Sequence, residues 1–227
     1  MKTAVSALIV VLSASVPAYA QTADSRPLRR PEITVGGGLL GGASLGAADA
    51  TLRANERALQ EFRLFGAASD FGSTPSMHVR GGLGLSRRMA VEGGLTWSRP
   101  EIRKRIEGDV EGAAPLTVAE QTSQYFVDGS LVIMLDELRV GGGLVPFLAA
   151  GGGYLRQLHE GRTVVEQGQV YHAGGGAKYW LHTRGAGRIR ATGLRGDVRA
   201  YFLRGGIDYG TGPRPHLAVS GSIFVNF

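Results

Sequence analysis

The feature that most constrains this chain is an alternation of apolar and polar residues with a period of two. In the run 124–133, residues Tyr125, Val127 and Leu131 occupy one set of alternate positions, and polar residues such as Asp128 occupy the other. Successive side chains of a strand point to opposite faces, so such a run predicts a sheet with one apolar and one polar face. The pattern recurs at 33–39, 77–85, 91–98, 124–133, 145–156, 171–179, 194–202 and 217–227.

In the fifth run, 145–156, both sets of alternate positions carry apolar residues. The pattern assigns Val145, Phe147 and Leu155 to the apolar face, and Tyr154 and Arg156 to the polar face. Ala149 is assigned to the apolar face with them.

The connections between the eight runs alternate in length. The long, polar connections lie at 44–75, 99–119, 157–169 and 204–215, and the short ones lie at 87–88, 136–139 and 183–188. Strands of about ten residues are long enough to cross a bilayer at a tilt, and long loops on one side with short turns on the other are typical of membrane barrels. The sequence therefore predicts an all-β fold, an eight-stranded antiparallel up-and-down transmembrane β-barrel with both termini in the periplasm.

The first twenty residues have the features of a cleavable signal peptide. Lys2 gives a positive start, Ala4–Val16 is a short apolar core, and Ala18 and Ala20 form the small-x-small cleavage pattern. The core is too short to be a membrane anchor, and no later apolar run reaches the length of a transmembrane helix. We predict a signal peptide at 1–20, a periplasmic segment at 21–30 and the barrel at 31–227.

Charged residues in the middle of the strands decide which face points outward. A lipocalin-like barrel would place its polar face outside, whereas Arg or Lys at mid-depth on a lipid-facing surface costs about 2–4 kcal/mol. We therefore predict an interior charge network, which is either a structural plug or a pathway for protons or ions. Its members are Arg80, Glu92, Asp128, Lys178, Arg195, Asp197 and Arg199.

The last run resembles the terminal strand of Gram-negative outer-membrane proteins. Val219, Gly221, Ile223, Val225 and Phe227 occupy alternate positions up to the final residue. The resemblance implies that Val219, Ile223, Val225 and Phe227 form the signal for the barrel-assembly machinery. As a pattern, the whole mature chain resembles the small barrels of the OmpA, OmpX and OmpW type. The stretch 174–180 is similar to an outer-membrane β-barrel domain family with no assigned activity. The implied location is the outer membrane.

A group of basic residues follows the third run, where a strand should emerge on the long-loop side. Arg99, Arg103, Lys104 and Arg105, together with Arg156 and Arg162, are candidates for contact with lipopolysaccharide phosphates, which guanidinium groups fit well. The alternative is a solvated loop, because Glu101, Glu107, Asp109 and Glu111 are interleaved with them.

No cofactor or metal site is predicted. The glycines at 36, 38 and 41 match a dinucleotide fingerprint, but no helix follows them, and the five histidines lack metal-ligand spacing. The chain has no cysteine, and its net charge of +6 includes no basic run typical of nucleic-acid binding. We predict a monomeric, non-enzymatic barrel with a structural or surface-interaction role, in contact with outer-membrane lipid and lipopolysaccharide. The alternatives are a narrow channel for small solutes and a lipid A-modifying enzyme.

Overall fold

The computed structural model describes residues 31–53, 61–141, 143–159, 164–183, 187–207 and 214–227. The predicted signal peptide with Ala18 and Ala20, the predicted segment 21–30 and Arg162 lie outside these ranges. Within them, no helix is long and apolar enough to cross a membrane.

The described residues form twelve strands and one short 3-10 turn at Asp136–Leu138. The strands are β1 (Pro31–Leu40), β2 (Ala43–Arg53), β3 (Glu61–Phe71), β4 (Thr74–Gly84), β5 (Met89–Ser98), β6 (Glu101–Glu107), β7 (Leu116–Gln121), β8 (Ser123–Met134), β9 (Leu144–Leu158), β10 (Val165–Thr183), β11 (Ala191–Gly205) and β12 (Arg214–Asn226).

Eight of these strands close into an antiparallel barrel. Its order is β1-β12-β11-β10-β9-β8-β5-β4, and β4 returns to β1. Neighbours in the barrel follow one another along the chain, so the topology is up-and-down. Closure gives every barrel strand two partners, which leaves no free edge. The predicted fold class is confirmed.

The first two long connections are strands, and the prediction of loops there is wrong. β2 and β3 form a hairpin in the connection 44–75, and β6 and β7 form another across 99–119. Pairing between β3 and β6 joins them into a four-stranded outer sheet with the order β2-β3-β6-β7. Small residues in β2 and charged residues in β6 obscure the alternation of apolar and polar residues. These strands are therefore recognised only from their pairing with neighbouring strands.

The predicted faces of β9 are inverted. Val145, Phe147 and Leu155 point into the barrel and are at most 1% exposed, whereas Leu148 and Tyr154 point outward. Ala149 also points inward, and Arg156 points outward. Because both faces of β9 are apolar, its own pattern does not fix its orientation, and the register with β8 and β10 does.

The middle of the barrel's outward face is an uncharged band. Its described residues are apolar or small on all eight strands, and many large ones are more than a third exposed. The outward residues Arg156 and Arg204 lie beyond this band, near the outer ends of β9 and β11. Examples are Ile33, Val35, Met77, Val79, Leu95, Val127, Leu148, Val198, Val219 and Ile223. The barrel is thus apolar outside, and the charged side chains of its strand centres lie inside.

Candidate functional site

A layer of charged side chains fills the middle of the barrel lumen. All seven residues of the predicted network are buried there: Arg80, Glu92, Asp128, Lys178, Arg195, Asp197 and Arg199. They come from β4, β5, β8, β10 and β11. Each strand contributes them because its inward positions alternate with the apolar outward ones.

Arg195 and Asp197 form the centre of this charged layer. The Arg195 guanidinium donates to Glu92 Oε1 at 2.6 Å and to Asp197 Oδ2 at 2.9 Å. Asp197 also accepts from Arg199 Nη2 at 3.0 Å, and Arg80 Nη1 lies 3.6 Å from its Oδ2. One carboxylate therefore faces three guanidinium groups, and one guanidinium bridges two carboxylates.

Glu32 belongs to the charged layer although the sequence pattern does not predict it. Lys178 Nζ donates to Glu32 Oε1 at 2.5 Å and lies 3.9 Å from Glu92 Oε1. With Glu32, the layer contains four cationic side chains and four carboxylates, so the charges balance. Glu32 lies just before the first alternating run, and its role depends on β10 lying across the barrel from β1.

Ser130, His172 and Asp128 lie together next to this layer. Ser130 Oγ is 3.3 Å from His172 Nε2, and Asp128 Oδ2 is 3.5 Å from the same nitrogen. In a catalytic Ser-His-Asp relay, the serine and the carboxylate contact different ring nitrogens. The three residues therefore form a buried polar cluster without the geometry of that relay.

Apolar layers lie on both sides of the charged layer. The inner layer, at the end of the barrel with the short turns, packs Val132, Met134, Val145, Phe147 and Ala149 with Ala90 and Trp180. The outer layer packs Leu40, Phe126, Leu155, Val170, Tyr201 and Leu203. A third cluster joins the base of the outer sheet to the loop after β11, and it consists of Leu45, Phe71, Ile102 and Ile207.

Buried polar residues lie at the outer mouth of the barrel, close to the outer layer. Gln157 donates to Gln124 Oε1 at 2.5 Å and accepts from the Ile207 backbone N–H at 2.8 Å. Arg214 donates to the carbonyl oxygens of Ile207 and Gly205. These bonds fix Ile207, just after β11, at the outer mouth.

The combination of a closed eight-stranded barrel, an uncharged outward face and a charged lumen identifies the environment of the chain. Side chains of this polarity are arranged for lipid outside and for ion pairing inside. The protein is an outer-membrane β-barrel.

The chain is similar to solved structures of outer-membrane proteins at low sequence identity. OprG of Pseudomonas aeruginosa is 10% identical over 88% of this chain and 97% of its own, with a TM-score of 0.44. Ail of Yersinia pestis is 10% identical over 88% and 100%, with a TM-score of 0.39. The protease OmpT of Escherichia coli is 9% identical over 87% and 97%, with a TM-score of 0.41. No protein-family model matches the sequence, and the comparison with curated proteins gives no match either.

The predicted lipopolysaccharide contacts of the outer-membrane barrel do not form one cluster. Arg103, Lys104 and Arg105 lie on β6 of the outer sheet, where they pair with Glu101 at 2.6 Å, Glu120 at 3.7 Å and Glu107 at 3.0 Å. Arg103 Nε donates to Glu101 Oε1, and this hydrogen bond raises the pKa of the Arg103 guanidinium above its ordinary value. Arg99 lies at the end of β5 instead, with its guanidinium carbon 5.0 Å from the centre of the Trp97 ring.

The terminal strand β12 has its apolar alternate positions on the outward face. Val219 and Ile223 are more than half exposed, and Val225 and Phe227 lie on the same side. The Phe227 N–H donates to the Pro31 carbonyl at 3.0 Å, next to the pairing of β12 with β1. The role of these residues in assembly stays a prediction.

Three or more His, Cys, Asp or Glu residues do not come together as a metal-binding group in the part of the chain that the structure describes.

Proposed function

We propose that this outer-membrane barrel is a non-conducting, non-catalytic anchor that holds the outer sheet at the cell surface for interaction with another polypeptide. The filling of the lumen carries the proposal. A balanced charged layer lies between two apolar layers, so a solute would have to separate buried ion pairs to pass through the lumen.

The outer sheet supports a surface-interaction role. Its two end strands, β2 and β7, differ in how well they are protected against pairing with another strand. β2 has two register irregularities, next to Gly46 and at Ala50, and bulges of this kind twist an edge away from partners. β7 has no irregularity, proline or lysine among its residues Leu116–Gln121.

The chemistry of β7 indicates the kind of partner. Leu116 and Val118 are about half exposed, at 56% and 46%. The segment 107–121 contains four carboxylates and no Lys, Arg or His. Glu107 and Glu120 are paired with Arg105 and Lys104 of β6, and Asp109 and Glu111 lie in the connection that leads into β7. A basic, extended segment of a partner protein matches this edge, because backbone hydrogen bonds give affinity and charge gives selectivity.

Two measurements test whether the barrel is non-conducting and non-catalytic. In planar bilayers, we expect the folded protein to give no steady conductance; a steady, ion-selective conductance would establish the channel alternative. Lipid A extracted from cells with and without the protein should have the same mass spectrum, and a specific loss or gain of a group would show enzymatic activity.

The surface interaction is tested with a short synthetic peptide that alternates valine with lysine. We expect it to bind the folded barrel, and Val118→Lys to weaken binding because a lysine on the edge repels the peptide and obstructs pairing. Ala48→Lys on β2 is the matched control, with the same added charge on the other end strand. Equal binding by Val118→Lys and the wild type, or equal binding of a valine–glutamate peptide, contradicts the assignment of β7.

A further inference from the structure

Three strands that run toward the outer end of the barrel share one local pattern. An aromatic residue of β5, β9 and β11 is followed two positions later by arginine, which after β5 lies one residue beyond the end of the strand: Trp97 and Arg99, Tyr154 and Arg156, Phe202 and Arg204. Residues two apart on a strand share a face, and here that face is the outward one. Each arginine therefore lies one outward position further toward the outer end of the barrel than an aromatic residue on the lipid-facing side.

The neighbouring strands complete the pattern. β8 contributes Tyr125, paired with Trp97, and β10 contributes Tyr171, paired with Phe202. We call the outward residues Arg99, Arg156 and Arg204, with Trp97, Tyr125, Tyr154, Tyr171 and Phe202, the outer-rim arc. It covers five consecutive barrel strands, from β5 to β11.

The register places the arc at one height in the membrane. With strands about 4.8 Å apart, residues about 3.3 Å apart and a tilt of about 40°, height changes by about 3 Å per strand and about 2.5 Å per residue. Applied to the pairings of β5, β8, β9, β10 and β11, these steps put the five aromatic rings within about 4 Å of a common level. The three arginines lie about 5 Å further out.

Within the part of the chain that the structure describes, the arginines of the arc have no carboxylate partner, in contrast to the arginines of the outer sheet. Among the described residues, Arg156 and Arg204 take part in no salt bridge, and Arg99 lies over the Trp97 ring. Their paired neighbours on β10 are polar and uncharged, since Arg156 faces Gln167 and Arg204 faces Gln169. On the outward face of the remaining strands, β12, β1 and β4, the residues nearest the level of the aromatic rings are Leu217, Leu39, Pro75 and Met77, and none of them is aromatic or basic.

We infer that the outer-rim arc binds the phosphate groups of phosphorylated lipid in the outer leaflet. Aromatic rings of a membrane barrel lie at the level of the lipid headgroups, so the guanidinium groups just beyond them lie at the level of the phosphates. Arginine donates in a planar fork that fits a phosphate, and three such groups without carboxylates leave a net positive surface. This inference is independent of the proposed role of the outer sheet.

The test compares lipid A with its dephosphorylated form. Each lipid is added to the folded protein in zwitterionic detergent, and native mass spectrometry measures how many lipid molecules remain bound to each protein. We expect the phosphorylated form to bind and the double variant Arg156→Gln/Arg204→Gln to bind it about tenfold more weakly, because charge-assisted hydrogen bonds are lost. Arg156→Lys/Arg204→Lys should recover part of the affinity. A gel shift on heating checks that each variant is folded.

The matched control is Arg103→Gln/Arg105→Gln, which removes the same charge from the outer sheet and should leave lipid binding unchanged. Three outcomes overturn the inference: wild-type binding by Arg156→Gln/Arg204→Gln, equal binding of the dephosphorylated lipid, or an equal loss in the control. Displacement of the lipid by millimolar inorganic phosphate would instead indicate a site for soluble phosphate, and it too overturns the assignment to lipid.

Discussion

The barrel lumen and the outer sheet each contain an arginine–glutamate pair of the same length in very different surroundings. Arg195 and Glu92 lie 2.6 Å apart in the lumen, with side chains 0% and 3% exposed. Arg103 and Glu101 also lie 2.6 Å apart in the outer sheet, with side chains 62% and 38% exposed. The distance between two charges therefore does not indicate how much the pair contributes to stability.

Solvent is the cause of the difference. In the outer sheet, water and salt screen each charge, and an exposed pair contributes about 0–1 kcal/mol. In the lumen, each charge has lost its water, so removal of one partner leaves the other without compensation and costs about 3–5 kcal/mol. The lumen is expected to tolerate neutral replacements of whole pairs but not the loss of single members.

The largest effect is expected for Asp197→Asn. This change neutralises the carboxylate that faces Arg195, Arg199 and Arg80, and it should lower the free energy of unfolding by about 3–5 kcal/mol. Urea titration in lipid vesicles, followed by tryptophan fluorescence, measures it. If Asp197→Asn unfolds at the wild-type urea concentration, water reaches the charged layer and the lumen is not closed.

Next in size is Ile102→Ala, which truncates a fully buried side chain at the base of the outer sheet. We expect a loss of about 2–5 kcal/mol, confined to the contact between this sheet and the barrel mouth. Limited proteolysis should then cut the outer sheet, whereas the gel shift of the barrel should not change. Unfolding of the barrel at the same lowered stability would show that the two regions form one cooperative unit.

A smaller net effect is expected when both members of the buried pair are replaced. Glu92→Met alone removes the closest carboxylate partner of Arg195 and leaves Asp197 at 2.9 Å and Glu32 at 3.9 Å. It should cost about 3–5 kcal/mol, but Glu92→Met/Arg195→Met should recover most of that loss. The remaining charges still balance, because Asp197 keeps Arg199 and Lys178 keeps Glu32. The same urea titration applies. A double variant as unstable as the single one would mean that the arginine is needed for packing as well as for charge.

The smallest effect is expected for Glu101→Gln, the exposed counterpart of the lumen changes. It should alter the free energy of unfolding least of these changes, and the difference should shrink as salt is added, because water and ions screen the exposed pair. Proteolysis of the outer sheet at low and high salt provides the measurement. A large, salt-independent loss would remove the distinction between the two regions.

The sequence alone determines the barrel and the inward direction of its charges. Period-two alternation is a local property of a strand, and the cost of a charge in lipid leaves one orientation for Arg80, Asp197 or Arg199. These two rules are enough to predict eight of the strands and the seven buried charged residues of the lumen.

Other features depend on pairing between distant segments, which no local pattern contains. The orientation of β9 follows from β8 and β10, the outer sheet requires β3 to meet β6, and Glu32 enters the charged layer only because Lys178 lies across the lumen. The level shared by Arg99, Arg156 and Arg204 arises in the same way. Register and tilt decide height in a barrel, and both are fixed only when the sheet closes.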